Sequence, residues 1–185
     1  MAVLADAGMT PDDHLLDIGC GALRLGHLAV PFLQPGHYWG TDASLALMRH
    51  GRNVELADPT RLPAAQLVED SAFAFPGIPE RITLAIAWGV FTHLPITALE
   101  AALHAAAQKL PRLRSLLFTV FLAPDSAASA PHRQADGVVT HPDRAPRHFR
   151  LGDVLHLASK AGMQADQRPD RLPRGQALFH ARRIG

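Results

Sequence analysis

The chain has a single cysteine, Cys20, among 185 residues. An intrachain disulfide framework is therefore excluded, and the redox compartment is left unmarked. Net charge is nearly absent: 18 Lys+Arg against 17 Asp+Glu gives +1. No electrostatic footprint for nucleic acid or an anionic membrane follows from that balance. Self-similarity at a period of roughly 20–50 residues is missing too, which excludes solenoids and propellers. The opening Met1-Ala2-Val3-Leu4-Ala5-Asp6 lacks a basic n-region, so a cytoplasmic protein is expected. One uncharged run, Ile82 to Leu99, reaches membrane-spanning length, but Gly89, Thr92, His93, Pro95 and Thr97 punctuate it. A strand followed by a helix start explains it better than a span, and no membrane partner is expected.

What is present is globular: 48% hydrophobic and 19% charged residues, at a length suited to one domain over 1–185 behind a short lead, 1–11. Histidine is abundant, 11 residues, which poses the alternatives of metal site, catalytic set or background.

Periodicity predicts strands at His14–Ile18, Tyr38–Thr41, Gln66–Glu69, Ile82–Ala87 and Ser115–Leu122. It predicts helices over Leu23–Leu33, Ser44–His50 (stopped by Gly51), Thr97–Leu110 and Leu151–Ala161. Gln164–Asp166 and Gln176–Arg182 read as a closing hairpin. Residues 123–150 have no strong period and read as a long loop, a candidate lid over an acceptor site. Alternating strands and helices imply an α/β three-layer sandwich, with ligands at the carboxyl ends of the strands.

The segment Leu15-Leu16-Asp17-Ile18-Gly19-Cys20-Gly21-Ala22-Leu23-Arg24-Leu25-Gly26 is a strand, a glycine turn and a helix start. Glycines there allow a sharp turn and close approach of a ligand to the backbone. A dinucleotide site wants a further glycine where Arg24 stands, so that strand and helix can pack. An S-adenosylmethionine site instead wants an acid before the first glycine, to meet a cationic amino group. Asp17 occupies that place; a turn cap is its simpler reading. Asp42, after the second strand, suits ribose hydroxyls or a helix N-cap. Asp70, with Ser71 behind it, stands where an adenine edge would lie, or is a solvated loop acid.

These residues, with Ile82–Trp88, Val90-Phe91-Thr92-His93-Leu94-Pro95 and Leu117–Phe121, resemble the class I S-adenosylmethionine-dependent methyltransferases from about residue 10 to the C-terminus. The resemblance implies a Rossmann-like, mostly parallel seven-stranded sheet with an antiparallel last strand. It implies Gly19, Cys20 and Gly21 under the cofactor, Asp17 near its amino group, Asp42 on the ribose and Asp70 or Ser71 near adenine. The segment after the fourth strand would line the methyl-transfer site. Leu23 departs from the family's frequent third glycine. Arg147, in His141-Pro142-Asp143-Arg144-Ala145-Pro146-Arg147-His148-Phe149, stands where an aromatic residue is more usual.

His93 is the candidate general base, since imidazole titrates near neutral pH; a structural role at a helix start competes with it. Trp88 would stack on adenine or wall the acceptor pocket, or fill core. His148 and His141 could face the acceptor from the long loop. His132, His141 and His148 with Asp136 or Asp143 are spaced too loosely for an ordinary zinc motif, and no metal is expected. Cys20 reads as a small turn residue rather than a nucleophile. Arg168, Arg171, Arg174, Arg182 and Arg183, interrupted by Asp170, read as a solvated basic face. The expected activity is methyl transfer from S-adenosylmethionine, leaving S-adenosylhomocysteine, to a small-molecule acceptor. A nicotinamide-dependent oxidoreductase and a non-catalytic cofactor-binding domain of the same fold are the alternatives.

Overall fold

Three apolar runs form the centre of the sheet: β1 (Leu15–Ile18), β4 (Leu84–Ala87) and β5 (Ser115–Leu122). Every residue of β1 and β4, and all of β5 but its last, is buried, as strands covered on both faces must be. The computed structural model describes residues 1–170 and 172–184. Arg171, one of the five arginines of the expected basic face, lies outside the described residues. Arg168 and Arg182 of that face pair with Asp170 and Asp166.

Two further parallel strands, β2 (Tyr38–Asp42) and β3 (Leu67–Glu69), extend the sheet beyond β1. On the other side β10 (Ala177–Arg183) pairs antiparallel with β5 and with β9 (Met163–Gln167). The seven-strand order is β3-β2-β1-β4-β5-β10-β9, with β10 the antiparallel member. Strand order reverses between β1 and β4, the place where sheets of this kind open a crevice at the carboxyl ends of the strands. Helices α1 (Ala2–Asp6), α2 (Gly26–Phe32) and α3 (Leu45–Glu55) bury Leu4, Ala29, Val30 and Met48 against one face. Helices α4 (Ile96–Lys109) and α5 (Leu151–Lys160) bury Leu99, Leu103, Val154 and Ala158 against the other. The three-layer α/β sandwich is as expected.

Three local expectations are corrected. Gly51 does not stop α3, which runs on to Glu55; the glycine serves packing, as shown below. Helix α2 begins at Gly26, and residues 23–25 belong to the preceding turn. Residues 123–150 are not all loop. They hold β6 (His132–Arg133) paired with β7 (Val139–Thr140), and β8 (His148–Phe149), which joins β5 in parallel at Phe121 and Leu122. Two-residue strands leave no period in a sequence, which is why they were invisible there.

The lead is clasped to the amino-terminal edge of the sheet. Arg114, just before β5, donates to the Ala7 and Gly8 carbonyls and to Asp13 Oδ2 at 2.7 Å. Asp13 also accepts from the Thr10 N–H at 2.8 Å and from the Thr83 hydroxyl at 2.8 Å. Burial raises the pKa of Asp13, but the bonds from Arg114, Thr10 and Thr83 outweigh it and hold the carboxyl below its usual range. Its stabilisation is therefore complete above the unfolded-state pKa, about 3.9, and lost as pH falls through the lower folded value. Asp13→Ala is expected to cost roughly 2 kcal/mol in urea unfolding at neutral pH. The variant should also show a flatter loss of stability than the parent below about pH 4.

Candidate functional site

Past β1 the chain turns through Gly19 and Gly21, both with positive φ, 68° and 52°. A Cβ on Gly19 would fall 2.5 Å from Val90 Cγ2, so the turn sits directly against the segment after β4. Around Gly21 the reverse holds: a Cβ there would meet nothing within 4 Å. Thr41, in β2, accepts the Gly19 and Cys20 N–H groups at 2.7 and 3.0 Å. One residue on, Asp42 Oδ2 accepts the Gly21 N–H at 3.0 Å and Oδ1 accepts the Ser44 N–H at 3.0 Å. Ser44 in turn caps α3 by accepting the Leu47 N–H at 3.2 Å. Asp42 is half-buried, and each of its oxygens keeps a second acceptor position for a ligand hydroxyl.

Asp17 is buried near the end of β1. The Tyr38 hydroxyl donates to its Oδ2 at 2.6 Å, whereas Oδ1 accepts no bond and the carboxyl forms no ion pair among the described residues. Burial, helped by the nearby Asp42 carboxylate and opposed by Tyr38, lifts the Asp17 pKa to about 7. It is thus no turn cap, but a buried acid without a cation. The Cys20 side chain packs on Gly40, whose Cβ would lie 2.8 Å from Sγ. Burial and the Asp17 and Asp42 carboxylates push its thiol far up, so it is not nucleophilic, and only its backbone can face a ligand.

Asp70 follows β3, whose end is tied to β2 by the Asp70 N–H bonding the Asp42 carbonyl at 2.9 Å. Its Oδ1 accepts from Ala72 and Ala74 N–H at 3.0 and 3.1 Å, and Oδ2 from Phe75 N–H at 2.7 Å. The carboxylate is no freely solvated loop acid; it folds the 70–75 loop, leaving Ser71 exposed beside it. At the end of β4, Trp88 is 40% exposed rather than core filler. The Gly89 N–H donates to the buried Thr119 hydroxyl of β5 at 2.8 Å, and the Thr92 hydroxyl to the Gly89 carbonyl at 2.7 Å. These bonds fix the segment carrying His93, whose exposed side chain makes no hydrogen bond among the described residues.

His148 is placed differently. It is buried in β8, with Nδ1 2.9 Å from the Thr140 hydroxyl and Nε2 3.4 Å from the Ala128 carbonyl. Burial, first among several causes, lowers its pKa. With both nitrogens engaged it holds the 123–150 segment together and cannot exchange a proton with an acceptor. Among the described residues no group of three or more His, Cys, Asp or Glu side chains is placed to hold a metal.

Three site residues escaped sequence reasoning. Tyr38 looked like one more apolar strand residue. Gly51 is where α3 meets the turn: a Cβ would lie 2.3 Å from the Ala22 carbonyl oxygen. Leu23 has φ 63°, the left-handed conformation that a third glycine would take without strain. Its fully buried side chain offsets a conformational cost of about 1 kcal/mol. The family's frequent third glycine at this position is the sequence signal for that turn.

Asp17 makes a pH prediction with a definite sign. Its folded pKa, about 7, exceeds the unfolded value of about 3.9. Its contribution to stability is therefore complete below the unfolded value and lost as pH rises through about 7. Urea unfolding of Asp17→Asn, which retains an acceptor for Tyr38, should fall less between about pH 5 and pH 8 than that of the parent.

No protein-family model matches the chain, and no curated protein matches it in sequence. Solved structures do match it. Magnesium protoporphyrin IX methyltransferase (ChlM) from Synechocystis PCC 6803 with bound SAH superposes with a TM-score of 0.66 at 16% identity, over 99% of this chain and 79% of that one. A TehB-like SAM-dependent methyltransferase from Corynebacterium glutamicum ATCC 13032 Kitasato gives 0.66 at 18%, over 99% and 86%. The glycopeptide N-methyltransferase MtfA gives 0.69 at 15%, over 99% and 88%. With the β3-β2-β1-β4-β5-β10-β9 order and its antiparallel β10, the chain has the Rossmann-like fold of the class I S-adenosylmethionine-dependent methyltransferases.

Proposed function

We propose that the chain is an S-adenosylmethionine-dependent methyltransferase of a small-molecule acceptor. The observation that carries this reading is Asp17, a buried carboxyl beneath the glycine turn with one oxygen that has no partner among the described residues. A cationic ligand end relieves its isolation, whereas a pyrophosphate would add negative charge beside it. Arg24 at the sixth position of the turn and the antiparallel β10 also depart from the dinucleotide pattern.

In this reading Asp17 receives the amino group and the backbone of Gly19, Cys20 and Gly21 lies beneath the cofactor. The free acceptor positions of Asp42 take the ribose hydroxyls. The loop that Asp70 folds presents its backbone, with Ser71, to the adenine edge, and Asp70 acts by positioning that loop. When bound, S-adenosylmethionine supplies an electrophilic methyl group on a sulfonium whose charge falls in the transition state. This chain's part is therefore alignment and exclusion of water. Trp88 and the Gly89–His93 segment border the place an acceptor would occupy. His93, exposed and without a side-chain hydrogen bond among the described residues, takes the proton of an acceptor that arrives protonated. His148 has no catalytic part.

Thermal unfolding with added S-adenosylhomocysteine tests the reading. Ligand at a hundredfold excess over its Kd should raise Tm by roughly 5–10 °C. A rise with a nicotinamide dinucleotide and none with S-adenosylhomocysteine would overturn it. Asp42→Ala should weaken the product's binding by about 10–100-fold in calorimetry. Once an acceptor is found by labelled-methyl screening, His93→Ala should lower kcat about a hundredfold for a protonated acceptor while leaving cofactor affinity unchanged.

A further inference from the structure

Residues 141–149 form a tight loop closed by the His141 N–H on the Pro146 carbonyl at 2.8 Å and the His148 N–H on the His141 carbonyl at 3.1 Å. The loop docks on the segment after β4, where the Arg147 N–H donates to the Thr92 carbonyl at 2.7 Å. The Arg147 backbone is thereby held against the segment that carries His93. The residue is half-buried, yet its guanidinium has one protein partner among the described residues, the Pro142 carbonyl at 3.2 Å from Nη1, and no carboxylate.

Other arginines show what a structural guanidinium does in this fold. Arg52 spans the Leu62 and Pro59 carbonyls at 2.6 and 2.7 Å. Arg61 spans those of Val30 and Leu33, and Arg114 closes on Asp13. Each ties two segments together with two or more bonds. Arg147 does not; most of its five donors are unspent. Asp143, the loop's own acid, makes no ion pair with it. A partly desolvated fork of donors without an anion suits a carboxylate, bound bidentately.

We propose that Arg147 binds a carboxylate of the methyl acceptor, so that the substrate class is small carboxylic acids with a second, methyl-accepting group. This rests on the methyltransferase reading above. The acid would be anchored by Arg147 while its hydroxyl or amino group meets His93 and Trp88. It also accounts for the arginine at a position where the family more often has an aromatic residue.

The experiment uses the whole chain, with and without S-adenosylhomocysteine. It titrates 4-hydroxybenzoate, phenylacetate and glutarate, each against its methyl ester, by calorimetry and by the ¹⁵N Nε–H resonance of Arg147. At least one acid should bind about tenfold or more tightly than its ester and shift that resonance. Arg147→Gln should lose the preference, and Arg147→Lys should retain part of it. Affinity for S-adenosylhomocysteine should be the same in all three proteins. Acid and ester binding alike, no acid binding at all, or undiminished acid binding by Arg147→Gln would each overturn the proposal. Failure of S-adenosylhomocysteine to bind would instead count against the methyltransferase reading, since the acid–ester comparison is also read on the protein alone.

Discussion

The Asp42 carboxylate is the joint on which the site depends. One oxygen holds the Gly21 N–H and the other the Ser44 N–H, so a single side chain ties the turn after β1 to the start of α3. The loop then closes on itself: Ser44 caps α3, α3 carries Gly51, and Gly51 rests on Ala22 of the same turn. Each contact fixes the next. A ligand arriving there meets donors and acceptors already aimed, and little ordering entropy remains to oppose binding.

Electrostatics give that frame its selectivity. Burial penalises the charge on Asp17, and the nearby Asp42 carboxylate disfavours it further. Tyr38 supplies one hydrogen bond to Asp17, which is not enough to ionise it firmly at neutral pH. The pair therefore stores an unfavourable interaction that a cation relieves. Such a site discriminates by sign of charge before any contact is counted. The backbone N–H groups at a helix start favour anions in general; here the Asp42 carboxylate takes the Gly21 and Ser44 N–H groups.

Much of this was legible in the sequence because it lies in short, contiguous patterns. Apolar runs marked β1, β4 and β5, and Gly19, Gly21 and Asp42 marked the ends of β1 and β2. What stayed hidden depends on contacts between distant residues. Gly51 looked like a helix stop because glycine commonly ends helices; only the approach of Ala22 explains it mid-helix. Leu23 hid a left-handed turn, because a buried leucine gives no warning of its φ. Asp70 kept its position, but its carboxylate is bound by N–H groups of its own loop. His148 looked like exposed chemistry in a loop; the pairing of β8 with β5 buries it.

The two ends of the crevice are built in different ways, and that difference bears on what each can vary. The glycine-turn end comes from strand termini and from Gly19 and Gly51, where a Cβ would clash, so a substitution there disturbs β1, β2 and α3 together. The other end is a loop hung on β5 through β8 and on the post-β4 segment through the Arg147 N–H. That anchor is a backbone bond, independent of the side chain at 147. The His148–Thr140 bond and the Gln134 amide, which donates to the Leu122 carbonyl and the Thr140 hydroxyl, hold the segment from the other side. Side chains on the loop's crevice side are thereby free to change without loss of its position, as functional loops on a rigid scaffold commonly are. An arginine in place of an aromatic residue is a change of that kind: the backbone bond at 147 that holds the loop is the same for either side chain.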